Sequence, residues 1–234
     1  EDAAETVSGR TYMGLTAEQF RNSNPNFGKV TFNVTDGCQE ITPRPVTLTS
    51  ESGSKPYDGT ALTLPQVGGA DQFVAGEVRE VRAEGTVTNV SEGVVVNHIV
   101  FTEENTFRPE NYQIERKEGS LVITPVQNRV TVTVKGNRNT SDYDGGAHTV
   151  SGYEISTDDE LYSTDAVAFS GTDTASRTNV EELPAAQDGE DAQQSSGLQP
   201  DGSGITYMGL AAEQFENTDP NFANVVFEVT DGWQ

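Results

Sequence analysis

One stretch of sequence occurs twice in this chain of 234 residues. Residues 11–39 read TYMGLTAEQFRNSNPNFGKVTFNVTDGCQ and residues 206–234 read TYMGLAAEQFENTDPNFANVVFEVTDGWQ, with 20 of the 29 positions identical. A weaker echo ends on Ile123-Thr124-Pro125, 82 residues after Ile41-Thr42-Pro43. Repetition at this spacing is typical of tandem modules that each form one small domain. We therefore expect the chain to fold as repeated units.

The starts of the units also match. The runs Val46–Thr49 and Val132–Lys135 precede the triplets Tyr57-Asp58-Gly59 and Tyr143-Asp144-Gly145 by the same spacing. These marks predict three parts: the C-terminal part of a preceding module at 1–43, a complete module at 44–125, and a second module at 126–234.

Short runs of alternating apolar and polar residues predict strands with one buried face. The alternation is clearest at 30–34, 130–134 and 225–229, and further strands are expected near 78–82, 94–101, 112–116, 120–124 and 148–155. Only 15–22 and 210–217 favour a helical turn, and both are too short for a stable helix. The predicted fold is all-β, with tandem Ig-like β-sandwich modules; a β-grasp or another small half-barrel is the alternative.

Residues 181–204 interrupt the second module with an acidic stretch rich in Gly, Ser, Gln and Pro. Such a stretch has little apolar surface to offset the entropy cost of ordering it. We predict a flexible insert at a hairpin tip.

The net charge of −23 repels phosphate backbones and anionic lipid head groups. Nucleic acid is therefore not an expected partner, and no apolar run is long enough to span a membrane. The single cysteine, Cys38, excludes a disulfide within the chain.

Candidate catalytic or metal-binding residues do not form a recognised pattern. The position of Cys38 holds Trp233 in the second copy, which cannot act as a thiol nucleophile. His98 and His148 stand in no triad, HExxH or paired-carboxylate arrangement. We therefore predict no catalytic residue, no cofactor and no metal site.

Two further features have structural explanations. The Tyr-Asp-Gly triplets predict tight turns, since Asp-Gly suits positions with positive φ; Asp142 to Gly145 also resembles half of a calcium loop but lacks a later acidic ligand. Lys135 is the best candidate for an isopeptide cross-link, which requires a buried lysine, but the alternation places it towards solvent.

Several recurring elements together resemble a known repeat family. They are Tyr-Asp-Gly, Asn-(Phe/Tyr), Gly-x-Leu-x-Ile-Thr-Pro and Met-Gly-Leu-x-Ala-Glu-Gln-Phe. The chain resembles the MBG-type and related Ig-like tandem repeats of large, adhesin-like surface proteins of Gram-positive bacteria. The resemblance implies a secreted, extracellular protein at the cell surface, anchored to the cell wall through regions outside this sequence, and it supplies no catalytic residue.

The leading expectation is a non-catalytic stalk or spacer whose partners are neighbouring repeat modules. The alternative is a module that binds a carbohydrate or a host protein through the loop at 181–204, because loops on rigid sandwiches often carry recognition. An enzyme is the least favoured class.

Self-association is a further expectation. The second copy has no counterpart of Glu40–Pro43, which predicts an unpaired sheet edge. We expect residues 1–43 of one chain to complete the second module of another by β-strand addition.

Overall fold

The structure is a computed structural model that describes residues 9–181, 197–198 and 204–234. The predicted insert at 181–204 therefore lies almost wholly outside the described residues. The fold is all-β, as predicted, and consists of several small sheets with sandwich-like character. Contacts divide the chain into two compact units: Glu1–Glu51, Pro65–Glu84 and His98–Gly119 form the first, and Ser52–Leu64, Gly85–Asn97 and Ser120–Gln234 form the second.

Short strands account for most of the regular structure. In chain order they are β1 Arg10–Tyr12, β2 Cys38–Glu40, β3 Arg44–Ser50, β4 Gly53–Pro56, β5 Val67–Gly68, β6 Val78–Ala83, β7 Val95–Asn97, β8 Ile99–Glu103, β9 Tyr112–Lys117, β10 Gly119–Thr124, β11 Val130–Gly136, β12 His148–Ser151, β13 Tyr153–Thr157, β14 Val167–Phe169, β15 Thr174–Arg177, β16 Gly197–Leu198, β17 Gly204–Ile205, β18 Phe215–Asn217 and β19 Val225–Thr230. Single 3₁₀ turns lie at Ala17–Gln19, Ala70–Gln72, Val90–Glu92, Pro109–Asn111, Thr164–Ala166 and Ala212–Gln214.

Each unit contains a three-stranded sheet with the same pattern of pairing. In the first unit β3 lies between antiparallel β5 and parallel β9. In the second, β11 lies between antiparallel β13 and parallel β19. The central strands alternate as the sequence predicts, so that one side chain in two is buried: Val46 and Leu48 in β3, Val130, Val132 and Val134 in β11.

The remaining sheets are small and complete the two units. In the first unit β1 pairs with β2 and β6 with β8. In the second, β10 lies between β4 and β7, and the pairs β12–β15, β14–β18 and β16–β17 form separate ribbons. The module boundaries at 1–43, 44–125 and 126–234 are defined by sequence repetition, and the units by contacts, so these boundaries stay a prediction.

Three apolar clusters form the cores. The first unit packs Phe73, Phe107 and Tyr112 around β3, with the rings of Phe107 and Tyr112 stacked at 5.4 Å. The second unit has one cluster around β11 and another formed by Val87, Leu121 and Ile123. Burial of these side chains is the main favourable contribution to folding.

Most of the predicted strands are present, with breaks that have local causes. The expected strand at 148–155 is divided at Gly152, whose φ of +84° is outside the range of a strand. The expected strand at 94–101 is likewise divided, into β7 and β8 on either side of His98.

The two copies of the repeated sequence share local hydrogen bonds and ring packing. We call residues 9–43 the N-terminal lobe and residues 206–234 the C-terminal lobe. The amides of Gly14 and Leu15 donate to the Asp36 carboxylate at 3.0 Å each, and in the second copy Gly209 and Leu210 donate to Asp231 at 3.0 Å each. Rings pack alike as well: Phe20 lies 5.9 Å from Phe32 and Phe215 lies 6.0 Å from Phe227.

The copies differ in burial. Phe215 and Phe222 are 5% and 3% exposed, whereas their counterparts Phe20 and Phe27 are 43% and 62% exposed. The prediction of a strand at 30–34 is wrong, because these residues lack the strand pairing that their counterparts have. Residues 225–230 form β19 because they pair with β11, and residues 30–34 have no pairing strand in the described chain.

Within the second unit, Asn221 joins the first predicted module to the second. Its carbonyl accepts from Val126 N at 2.8 Å, its side-chain oxygen accepts from Val90 N at 2.8 Å, and its amide donates to Asn89 at 3.2 Å. Next to it, the ring of Phe222 meets Tyr57 edge-on at 5.7 Å. The junction is therefore made by packing and direct hydrogen bonds, and Asn221 is only 7% exposed.

Candidate functional site

A groove of about 800 Å³ lies in the second unit. It is built from the segment after β11, the end of β15, β17 and the last two residues. Its lining mixes amide and hydroxyl groups with aromatic rings: Asn139, Thr140, Ser141, Asp142, Tyr143, His148, Arg177, Thr178, Asn179, Val180, Gly204, Ile205, Trp233 and Gln234.

Arg177 forms several hydrogen bonds at one end of the groove. It is the last residue of β15, and its side chain is 7% exposed. Nη1 donates to the carbonyl of Ile205 and to Thr206 Oγ1 at 3.0 Å each, and Nη2 donates to the carbonyl of Val180 at 2.6 Å. The guanidinium thus connects the two ends of the insert, since Val180 precedes it and Ile205 follows it.

Gly204 packs directly against this guanidinium. A Cβ at Gly204 would lie 2.4 Å from Nε of Arg177, a distance that no side chain could tolerate. The close approach accounts for the glycine and leaves Nε buried without a partner among the described residues. Arg177 is therefore a structural clamp at the stem of the insert.

The C-terminal residues form another wall. The amide of Trp233 donates to Asn137 O at 3.1 Å, and its carbonyl accepts from Asn139 N at 3.0 Å, which makes a parallel bridge to Arg138. A second bridge, antiparallel, joins Trp233 to Tyr207. Gln234 is 6% exposed and accepts from the side chain of Asn139 at 2.9 Å.

Tyr143 and His148 lie on the groove, and Asp144 lies beside His148. Tyr143 is 67% exposed, which leaves its ring accessible to a ligand. Asp144 accepts from Gly146 N at 2.8 Å and lies 3.0 Å from Nε2 of His148. These contacts, the backbone one first, lower the pKa of Asp144 below its ordinary value, so this carboxyl is charged at neutral pH.

The chemistry of this lining suits binding. Amides, hydroxyls and aromatic faces recognise polar ligands through hydrogen bonds and stacking. Among the described residues no group of three or more His, Cys, Asp or Glu side chains is placed to hold a metal ion. Within the same ranges no helix is long and apolar enough to cross a membrane.

The residues singled out in the sequence are dispersed. Cys38 is exposed on the N-terminal lobe, and Lys135 is exposed on β11, as the alternation predicts. His98 is exposed and lies 2.9 Å from Glu118. Asp142, Tyr143, His148 and Trp233 do line the groove. Sequence reasoning missed Arg177, whose one signal was its position shortly before the insert.

Each Tyr-Asp-Gly triplet ends at a bend and not at the predicted tight hairpin turn, although its glycine has the expected positive φ. Gly59 and Gly145 have φ of +77° and +84°, a region that favours glycine. Asp58 accepts from Lys55 Nζ at 2.7 Å and from Thr60 N at 2.9 Å. Mainly through the lysine, these bonds lower the pKa of Asp58 to about 2.

We expect Lys55→Met to raise the pKa of Asp58 from about 2 towards its ordinary value of 3.8. Because the folded-state pKa is the lower one, the stabilising contribution is present above about pH 4 and is lost as the pH falls towards 2. Carboxyl NMR titration measures the shift. Asp144 is the control, because its low pKa depends on Gly146 and His148; an equal change at both residues would contradict the assignment.

The fold and the groove define an all-β protein with repeated sheets and a polar groove at the end of its second unit. No protein-family model matches the chain, and no curated protein or solved structure matches it either.

Proposed function

We propose that the chain is a non-catalytic structural segment, a stalk or spacer made of tandem modules in a secreted bacterial surface protein of the adhesin-like, MBG-type class. Its partners are neighbouring modules. The observation that carries the proposal is the repetition of structure as well as sequence: the same strand pairing around β3 and β11 and the same local bonds in both lobes.

The junction at Asn221 supports the role of a spacer. Tandem modules joined by loose linkers move independently, whereas packed junctions limit bending. Here the side chain and the backbone of Asn221 bond to Asn89, Val90 and Val126 inside one compact unit. The equivalent Asn26 in the N-terminal lobe is exposed.

The charge supports the same role. A net charge of −23 gives long-range repulsion between chains and favours solubility at high local density. Surface proteins that stand side by side in an array are at such a high local density. The charge also disfavours anionic polymers as partners.

The groove favours a second candidate function, the binding of a carbohydrate or a host protein. The ring of Tyr143 is accessible, and the groove is lined by both ends of the insert at 181–204, Thr178–Val180 and Gly204–Ile205. Sugars stack on exposed aromatic faces and bond to amides, and this groove offers both.

A glycan array and a panel of host matrix proteins, probed with the full chain, separate the two functions. The spacer proposal expects no saturable binding to any of them. The groove proposal expects saturable binding that Tyr143→Ala weakens about tenfold, since stacking on one ring contributes roughly 0.5–1.5 kcal/mol beyond area burial.

Tyr12→Ala is the matched control, since Tyr12 is another exposed tyrosine, on the N-terminal lobe. Binding that both variants weaken equally would not belong to the groove. Saturable binding that Tyr143→Ala abolishes would contradict a pure spacer.

A further inference from the structure

The N-terminal lobe presents an apolar face that nothing in the described chain covers. Its members are large side chains that share one pattern of exposure: Met13 75%, Leu15 40%, Phe20 43%, Phe27 62% and Val30 43%. Water contact with such a cluster is unfavourable, and contiguous apolar patches on soluble proteins commonly mark interaction sites.

The second copy shows what covers this face. The counterparts Met208, Leu210, Phe215 and Phe222 are 5%, 7%, 5% and 3% exposed because they pack against β11 and its neighbours. We call residues 130–177 the module body. In the C-terminal lobe β19 runs parallel to β11 of that body, and β18 pairs with β14.

The N-terminal lobe already has internal hydrogen bonds equivalent to those of the docked C-terminal lobe. Gln19 Nε2 donates to Gly14 O at 3.1 Å, and Gln214 Nε2 donates to Gly209 O at the same distance. Met13 N donates to Gly37 O at 2.9 Å, and Met208 N to Gly232 O at 2.9 Å. Docking therefore requires little reorganisation within the lobe.

Charge favours docking of the N-terminal lobe on the module body over docking of the C-terminal lobe. The body carries eight carboxylates and three basic residues. Residues 206–234 add five carboxylates and no base, whereas residues 11–39 carry two of each, with Arg21 and Lys29 in place of Glu216 and Asn224. Exchange removes repulsion from an acidic body, an effect that screening weakens above about 0.1 M salt. It also loses the exposed pair of Arg129 and Glu228, a kind of contact that contributes little.

We propose that the apolar face of the N-terminal lobe is a docking surface for the module body of a second copy of this chain. There it replaces the C-terminal lobe, which leaves as the N-terminal lobe binds. Each exchange buries the apolar face of the N-terminal lobe and exposes the equivalent face of the C-terminal lobe, so the free energies of apolar burial nearly cancel. The difference in charge between the two lobes then decides which lobe is favoured on the body. This surface exists whether or not the chain acts as a spacer.

The single cysteine allows the exchanged state to be captured as a disulfide. In the exchanged state Cys38 of one copy takes the place of Trp233, which forms a parallel bridge with Arg138. Bridged residues have Cα atoms about 5 Å apart, which lies within the range of a disulfide. In the full chain with Arg138→Cys, incubated in a glutathione redox buffer, exchange gives a covalent dimer linked from Cys38 to residue 138. Arg138 is exposed, so the substitution leaves the fold intact.

Non-reducing electrophoresis and peptide mapping supply the readout. We expect the dimer with the 38–138 linkage to form faster at low salt than at high salt. Adding Met13→Gln and Phe27→Ser should reduce it about tenfold or more, because these two side chains would be buried only on docking. Both are exposed in the single chain, so the control variant keeps its stability.

Four results would overturn the proposal. They are the absence of dimer, a dimer linked only through identical positions, an internal 38–138 disulfide in a monomer, and a dimer that Met13→Gln with Phe27→Ser leaves unchanged. The wild-type chain, whose only thiol is Cys38, reports the background of 38–38 linkage.

Discussion

Phe222→Ala should lower the free energy of unfolding of the second unit by about 3–5 kcal/mol, the usual cost of removing a buried phenylalanine ring. Phe222 is 3% exposed, and its ring meets Tyr57 at 5.7 Å and Tyr162 at 5.1 Å, both edge-on. The substitution leaves a cavity at the junction between the predicted modules. Partial collapse of that cavity would bring the cost to the lower end of the range.

Phe27→Ala supplies the matched control. Phe27 holds the same position in the first copy but is 62% exposed, so we expect a change of less than about 0.5 kcal/mol. Urea unfolding followed by fluorescence reports on the right region, because Trp233 is the single tryptophan and lies in the C-terminal lobe. Equal losses from both substitutions would mean that the N-terminal lobe is packed as the second copy is.

Pattern in the sequence predicted the fold class and much of the strand placement. Alternation works for β11 because its valines face a core that Tyr162, Ala175 and side chains of the C-terminal lobe complete. It failed at 30–34, where the pattern is equally clean. A strand requires a partner, and the partner of 225–230 is β11, about 95 residues earlier in the chain.

The groove was beyond local reasoning for a related reason. The parallel bridge between Arg138 and Trp233 brings Asn139 and Gln234 together. Arg177 bonds to Thr206, whose amide donates to the carbonyl of Gln234. No motif spacing encodes these contacts, since long segments separate the residues. The sequence did indicate that Cys38 and Trp233 hold equivalent positions in the two copies. It follows that this position does not require a thiol.

The two copies of the repeat share local geometry down to individual side-chain bonds. Asn22 donates to the carbonyl of Asn24, and Asn217 donates to the carbonyl of Asp219, although the acceptor residue differs. Such bonds form within a few residues and need no tertiary partner. Identity of sequence therefore fixes the local conformation of each lobe, while the surroundings decide its burial.

Gly232→Ala should destabilise the second unit by about 3 kcal/mol, at the upper end of what overpacking usually costs. A Cβ at Gly232 would lie 2.4 Å from the carbonyl oxygen of Asn137 and 2.8 Å from the carbonyl carbon of Gly136, both backbone atoms. The segment would have to move away, which breaks the hydrogen bonds of Trp233 with Asn137 and Asn139. The groove would lose a wall with them.

Gly37→Ala tests the cause, because Gly37 is the twin of Gly232 with a different surrounding. All three atoms nearest to a Cβ at Gly37 belong to the side chain of Met13, which is 75% exposed and free to rotate away. We expect a change of less than about 0.5 kcal/mol there. Urea unfolding gives both values, and hydrogen exchange at the amides of Trp233 and Asn139 shows whether the bridge has opened. If Gly232→Ala left both amides protected, the close approach of the two backbones would not be the reason for a glycine at this position.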